Sequence, residues 1–156
     1  MEDRPTGRKS KSPRRGGVVD RLFRPVAIRV GLAWYLEVPG RRSGSVRRIA
    51  LIPQSVDDRW YLLSTYGYSQ WVQNLRSAGG GTLIRRTGAE PFTAVEVDPD
   101  ERDRVIARFR ERAPFVVRRE FDQLPDPADH PAFRIVPAGS DGEPDGPPEP
   151  DATPRR

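Results

Sequence analysis

From Pro39 to Arg48 the chain reads Pro-Gly-Arg-Arg-Ser-Gly-Ser-Val-Arg-Arg, setting four arginines and two serine hydroxyls around two glycines. A loop of this composition can aim backbone N–H groups, hydroxyls and planar guanidiniums at one phosphate or carboxylate, with charge-assisted and bidentate contacts. An exposed arginine-rich turn accounts for the same residues, and the loop alone does not choose between the two. A second concentration follows at Ser64-Thr65-Tyr66-Gly67-Tyr68-Ser69, with Trp71 just beyond it. A glycine in a strand-to-helix turn leaves N–H groups free, and an aromatic in the helix's first turn can wall a planar ring. The plainer alternative makes Trp71 a core residue and the two tyrosines ordinary loop aromatics. Tyr66 and Tyr68 each place a hydroxyl donor in that turn.

Other chemistries lack their residues. The chain has no cysteine and one histidine, His130, which leaves neither a disulfide framework nor a thiolate or zinc cluster, and no metal site is expected. No Ser-His-Asp pattern, P-loop or dinucleotide glycine fingerprint occurs. Gly79-Gly80-Gly81 falls between a helix and a strand, the wrong order for a phosphate at a helix N-terminus. No apolar run reaches the roughly 18 to 20 residues needed to cross a bilayer, and no signal-peptide core follows the basic start. A cytoplasmic location is expected.

The net charge of +5 comes almost wholly from arginine, since Lys9 and Lys11 are the only lysines. The excess fits recognition of anions, and equally a GC-rich genome that encodes arginine where others encode lysine. The cluster from Arg4 to Arg15 suits weak, salt-dependent contact with an anionic membrane, which would make the protein peripheral to one. Contact of that kind with nucleic acid is independent of sequence, so no specific nucleic-acid partner is expected.

These groups need a scaffold, and the length suits one domain. Residues 1–17, basic and almost without apolar side chains, and residues 138–156, Pro-rich and mostly acidic, are expected to be disordered tails. The domain then spans 18–137. Val18 to Val30 has helical spacing, interrupted by Pro25. Six strand-like runs follow: 33–38, 48–53, 60–65, 82–87, 92–97 and 132–136, each bounded by Gly, Pro, Asp or Ser. Turn residues at 40–45, 57–58 and 87–88 imply that runs adjacent in sequence pair antiparallel. Ser69 is positioned to cap a helix through Ser77. Asp98-Pro99-Asp100-Glu101 opens another that runs to about Arg112, before Pro114 breaks or restarts it. Six short strands with two inserted helices suit a small antiparallel barrel, which removes most unpaired edges.

The ordered pair of Gly40-Arg41-Arg42-Ser43-Gly44 with Arg47, then Gly67 and Trp71-Val72-Gln73-Asn74-Leu75, resembles the deazaflavin-dependent nitroreductase family, also described as nitroreductase/quinone reductase. The similarity runs from about Leu32 to Val136. It implies a mainly β, split antiparallel barrel that binds the reduced deazaflavin coenzyme F420 and passes hydride to a nitroaromatic, quinone or enone. FMN is the alternative coenzyme, and a non-catalytic barrel holding a flavin, deazaflavin or other anionic apolar ligand is the alternative function. By the resemblance, Arg42 and Arg47 contact the coenzyme's phosphate and oligoglutamate tail, while Arg41, Ser43 and Gly44 shape the loop. Ile49, Ala50 and Leu51 form the strand beneath the ring, and Thr65, Tyr66, Gly67 and Trp71 flank it. For the hydride transfer that the resemblance implies, Tyr66 and Tyr68 are the catalytic candidates, as donors where negative charge develops on the acceptor oxygen. The chain departs from many members at Tyr66, where they carry a lysine, near Ile49 and Ala50, where they carry Asn-Pro, and at Ala78-Gly79-Gly80-Gly81, where they carry Asn-Pro. A homodimer is left open.

Overall fold

The computed structural model describes residues 34–139. The expected basic tail, the Val18–Val30 helix and residues 140–156 of the expected C-terminal tail lie outside the described residues.

Among the described residues seven strands are formed: β1 (Trp34–Pro39), β2 (Val46–Leu51), β3 (Gln54–Val56), β4 (Arg59–Leu63), β5 (Gly80–Arg85), β6 (Gly88–Glu96) and β7 (Ala132–Pro137). Three α-helices accompany them: α1 (Gln70–Ala78), α2 (Pro99–Arg112) and α3 (Phe115–Phe121). All the strands join one antiparallel sheet in the order β2-β1-β5-β6-β7-β4-β3.

This order forces the sheet to curl. The two edge strands, β2 and β3, are joined only by Ile52 and Pro53, and three extended steps from Leu51 to Gln54 span no more than about 11 Å. Opposite ends of the sheet must therefore approach each other. Trp34 of β1 and Trp60 of β4, separated by three intervening strands, accordingly meet with ring centroids 4.9 Å apart. The result is a curled half-barrel, the architecture that the strand runs and the resemblance led us to expect.

Inside the curl, Leu36, Val38, Leu62, Leu83, Phe92 and Phe133 pack around Trp71, Val72 and Leu75 of α1. Residues alternate along a strand, so the neighbours of Leu62 and Phe133 face the other way. Tyr61, Leu63 and Ala132 there meet Val105, Ile106 and Phe109 of α2 and Phe121 of α3 in a second cluster. Burial on both faces explains why Tyr61-Leu62-Leu63 reads as a continuous apolar run. Each fully buried aliphatic contributes about 1.5–3 kcal/mol.

The local signals behave as their chemistry requires. Asp98 takes an extended backbone and accepts from the Glu101 N–H at 2.8 Å, with Pro99 in the first turn, so α2 begins there and ends at Arg112. Ser69 occupies the N-cap position of α1, but its hydroxyl makes no cap bond. Gly79 ends α1 in the left-handed region at φ 71° and donates to the Leu75 carbonyl. Gly81 has a different reason to be glycine: a Cβ there would lie 2.6 Å from the Glu37 carbonyl oxygen of β1.

Three expectations change. The strand count rises to seven because Gln54–Val56, short and mostly polar, carries no apolar run to signal β3. The Asp57-Asp58 turn, with φ 48° and 58°, joins β3 to β4 rather than the 48–53 run to the 60–65 run. Pairing therefore follows sequence neighbours only in part: β7 inserts between β6 and β4, and β5 returns to β1. Pro114 restarts the chain as a third helix, because Val117 and Phe121 at i, i+4 give α3 an apolar stripe against α2.

Candidate functional site

The β1–β2 hairpin turns at Gly40–Ser45. Gly40 N–H donates to the Ser45 carbonyl at 2.9 Å, Gly44 N–H to the Gly40 carbonyl at 2.8 Å, and Ser45 N–H to Ser43 Oγ at 3.3 Å. Gly44 sits at φ 68° with open space where a Cβ would be, so its backbone alone demands glycine. The turn overhangs the start of α1, whose residues 70, 71 and 74 share a face by helical spacing. Between them lies a cleft of about 580 Å³ lined by the hairpin from Gly40 to Ser43, by Val46–Ile49 of β2, and by Gln70, Trp71 and Asn74.

The four hairpin arginines divide into two pairs. Arg41 is a strut: its Nη1 donates to Gln70 Oε1 at 2.9 Å and to Asn74 Oδ1 at 3.1 Å, and its backbone N–H reaches Asn74 Oδ1 at 3.2 Å. Asn74 is buried, so this bond fixes the height of the hairpin above α1. Arg48 pairs with Glu37 across the ladder and stacks over Tyr35. Arg42 and Arg47 have no acidic partner among the described residues, and both line the cleft. Arg47 lies opposite Val38 and Ile49 opposite Leu36, which puts both side chains on the inner face of the sheet with the core.

Trp71 is a core residue that also borders the cleft. Its ring packs on Phe133 at 6.0 Å and is 7% exposed, and it still forms part of the cleft wall.

Of the residues anticipated from sequence, the structure brings Arg41, Arg42, Ser43, Arg47, Ile49 and Trp71 to the cleft. Gly44 shapes the turn without lining it. Ala50 lies opposite Tyr35 on the outer face, because β2 alternates about Ile49, and Leu51 is inward but two residues further along, away from the lining. Thr65, Tyr66 and Gly67 belong to the turn before α1 and do not line the cleft. The two phenols are engaged elsewhere: Tyr66 Oη donates to Glu120 Oε2 at 3.0 Å and Tyr68 Oη to the Ala128 carbonyl at 3.1 Å. Arg76 lies 4.9 Å over the Tyr68 ring, and its bond to Glu96 holds this guanidinium above its usual range.

Gln70, Asn74, Val46, Arg48 and Gly40 also line the cleft, beyond the site residues chosen from sequence. The available signal was the 70, 71, 74 spacing, which places two amides beside Trp71 on one helix face. Among the described residues no group of His, Asp or Glu is arranged to hold a metal ion, and no helix is long and apolar enough to cross a membrane.

A curled antiparallel half-barrel with a cationic cleft between its first hairpin and the helix α1 is a split-barrel architecture. Residues 27–122 match the F420H(2)-dependent quinone reductase family, and the chain belongs to it. The protein is therefore an enzyme of the reductase type. Solved structures share the fold at low identity. An F420-H2 dependent reductase, FDR-A, is 17% identical over 67% of this chain and 93% of its own, with TM-score 0.51. A conserved hypothetical protein from Mycobacterium tuberculosis is 20% identical over 68% and 72%, with TM-score 0.52. The heme storage protein HutZ from Vibrio cholerae is 15% identical over 74% and 88%, with TM-score 0.55. No curated protein matches the sequence.

Proposed function

We propose that the cleft holds F420 with its phosphate and glutamate tail on Arg42 and Arg47, and that the protein transfers hydride to a small organic acceptor of the quinone, nitroaromatic or enone type. One observation carries the reading: Arg42 and Arg47 are the hairpin arginines with no side-chain partner among the described residues, and both line the cleft. A cation left unpaired beside an apolar wall of Trp71 and Ile49 fits a ligand with a flat ring at one end and negative charge at the other. FMN, with one phosphate, offers such a pair less charge to meet.

When bound, the reduced deazaflavin supplies the hydride. This chain contributes position and dryness. Arg41 sets the width of the cleft through Gln70 and Asn74, Trp71 and Ile49 supply an apolar surface, and Arg42 and Arg47 anchor the charged end. A charge-assisted contact of this kind contributes about 1.5–3 kcal/mol when desolvated and less when exposed.

The test is titration with F420 followed by oxidation of the reduced coenzyme with menadione. Arg42→Ala and Arg47→Ala are each expected to weaken coenzyme binding about tenfold, which corresponds to about 1.4 kcal/mol. A deazaflavin without the tail should be nearly indifferent to both changes. Equal losses for the two ligands would move the arginines to the ring, and no binding by the unaltered protein at roughly tens of micromolar would remove the coenzyme assignment.

A further inference from the structure

The α2–α3 corner presents apolar side chains that folding does not account for. On α3, Val117 and Phe121 face the core, and helical spacing puts Phe115 and Arg119 on the opposite side. Phe115 is 70% exposed and Val116 is 42% exposed. Tyr66, also exposed, reaches the same helix by its bond to Glu120, which shares a face with Val116 at i, i+4.

The same corner carries unpaired cations. Arg112, Arg118 and Arg119 are exposed, and none of them pairs with an acidic side chain among the described residues. The nearby carboxylates are engaged: Glu111 with Arg108, Asp122 with Arg110, and Glu120 with the Tyr66 hydroxyl. The corner thus carries net positive charge around an outward-pointing aromatic.

We propose that the α2–α3 corner is a docking surface for an anionic lipid bilayer, with Phe115 and Val116 entering the headgroup–acyl boundary and Arg112, Arg118 and Arg119 at the phosphate level. Two features favour a bilayer over an acidic protein. Phe115 stands on the side of its helix directly away from the core, the geometry that inserts rather than receives. Arginines with long apolar stems stand on the same helix and at the end of α2, and such side chains keep their charge at the interface while their stems lie along apolar surface. The coenzyme plays no part in this contact, so docking stands or falls independently of the cleft assignment.

The experiment is co-sedimentation of the full chain with phosphatidylcholine vesicles, and with vesicles of equal parts phosphatidylcholine and phosphatidylglycerol. Binding is expected only to the second. Phe115→Ser should weaken it about tenfold through lost apolar burial. Arg112→Gln with Arg119→Gln should weaken it at least as much, at about 1 kcal/mol per cation near such a surface, or about fivefold each. The melting temperature checks that both variants fold. Because the chain has no cysteine, Val116→Cys takes a single environment-sensitive label, whose emission should shift to the blue with anionic vesicles. Three results would overturn the proposal. One is binding unchanged by Phe115→Ser and by the arginine pair, which would assign it to other basic segments such as residues 4–15. Another is no binding to anionic vesicles. The third is binding to polyglutamate as strong as to vesicles, with no blue shift, which would put an acidic protein in the bilayer's place.

Discussion

The outer face of β4 and β7 and the hairpin cleft both gather ionisable side chains, and they end in opposite states. Under α2, Tyr61 Oη donates to Glu101 Oε1 at 2.7 Å and Arg134 Nη1 reaches the same oxygen at 3.1 Å, closing a triad beneath the helix. Further along, His130 is buried with its ring nitrogens 2.9 Å from the Ser64 carbonyl and 2.7 Å from the Leu124 carbonyl, and its ring stacks on Phe121 at 3.7 Å. At the cleft Arg42 and Arg47 are exposed and have no acidic partner among the described residues. Groups that satisfy one another stabilise the fold, and groups left open are available to a ligand. The difference teaches where stability and binding reside, and each change below tests that separation.

The largest effect on stability is expected at His130. Removing the ring in His130→Ala takes the imidazole N–H away from between the Ser64 and Leu124 carbonyls and leaves a void beside Phe121, at about 3 kcal/mol. Urea denaturation reads this directly, and His130→Phe should recover part of the loss by keeping the stack. A change below about 0.5 kcal/mol, the scale of an ordinary surface substitution, would contradict a structural role for His130.

Arg41 belongs to both regions and sharpens the boundary between them. Arg41→Ala leaves the buried Asn74 amide oxygen with no side-chain donor, so a stability loss of about 1–2 kcal/mol is expected. Coenzyme affinity should fall as well, since the hairpin loses its strut. Arg41→Lys should rescue little of either, because one ammonium does not reproduce a planar fork between Gln70 and Asn74. Full rescue by lysine would mean that charge, not geometry, matters there.

A smaller effect tests Tyr61. Burial, then its bond to the Glu101 carboxylate, raises the phenol above its ordinary range. The folded state therefore keeps a proton that the unfolded state gives up at about pH 10. This contribution is complete below that pH and is lost as pH rises through the folded value. Tyr61→Phe should cost about 1 kcal/mol near neutrality and flatten the alkaline decline in stability. An unchanged alkaline slope would place the titration elsewhere.

The smallest effect on stability is expected from the two changes at the proposed coenzyme clamp. Arg42→Ala and Arg47→Ala should stay within about 0.5 kcal/mol of the parent, as exposed residues without partners do. Destabilisation beyond this would erase the contrast between the two regions.

Much of this was legible in the chain. Asp98-Pro99-Asp100-Glu101 specified the start of α2 because the cap is local chemistry: one carboxylate, one N–H and one proline at a fixed offset. The apolar runs marked six of the seven strands, and Gly40-Arg41-Arg42-Ser43-Gly44 marked the hairpin, since turns depend on residues within a few positions of each other. The arginine-rich loop and Trp71 could be named as candidates, and the ordered motifs pointed to the family.

Folding decided what local chemistry does not contain. Four arginines in ten residues look alike, and only the 29- and 33-residue separations that bring Gln70 and Asn74 to Arg41, and Glu37 across the ladder to Arg48, distinguish the tied from the free. Ile49 and Ala50 are neighbours in sequence, but the register with Leu36 and Tyr35 sends them to opposite faces. The hydroxyls of Tyr66 and Tyr68 donate to the Glu120 carboxylate and the Ala128 carbonyl, 54 and 60 residues away, which the local sequence does not show. The sequence by itself determined which side chains could do chemistry and which turns would carry them. Their availability was settled by contacts between segments distant in the chain, because a charge or a hydroxyl is defined functionally by the partner it has or lacks in space.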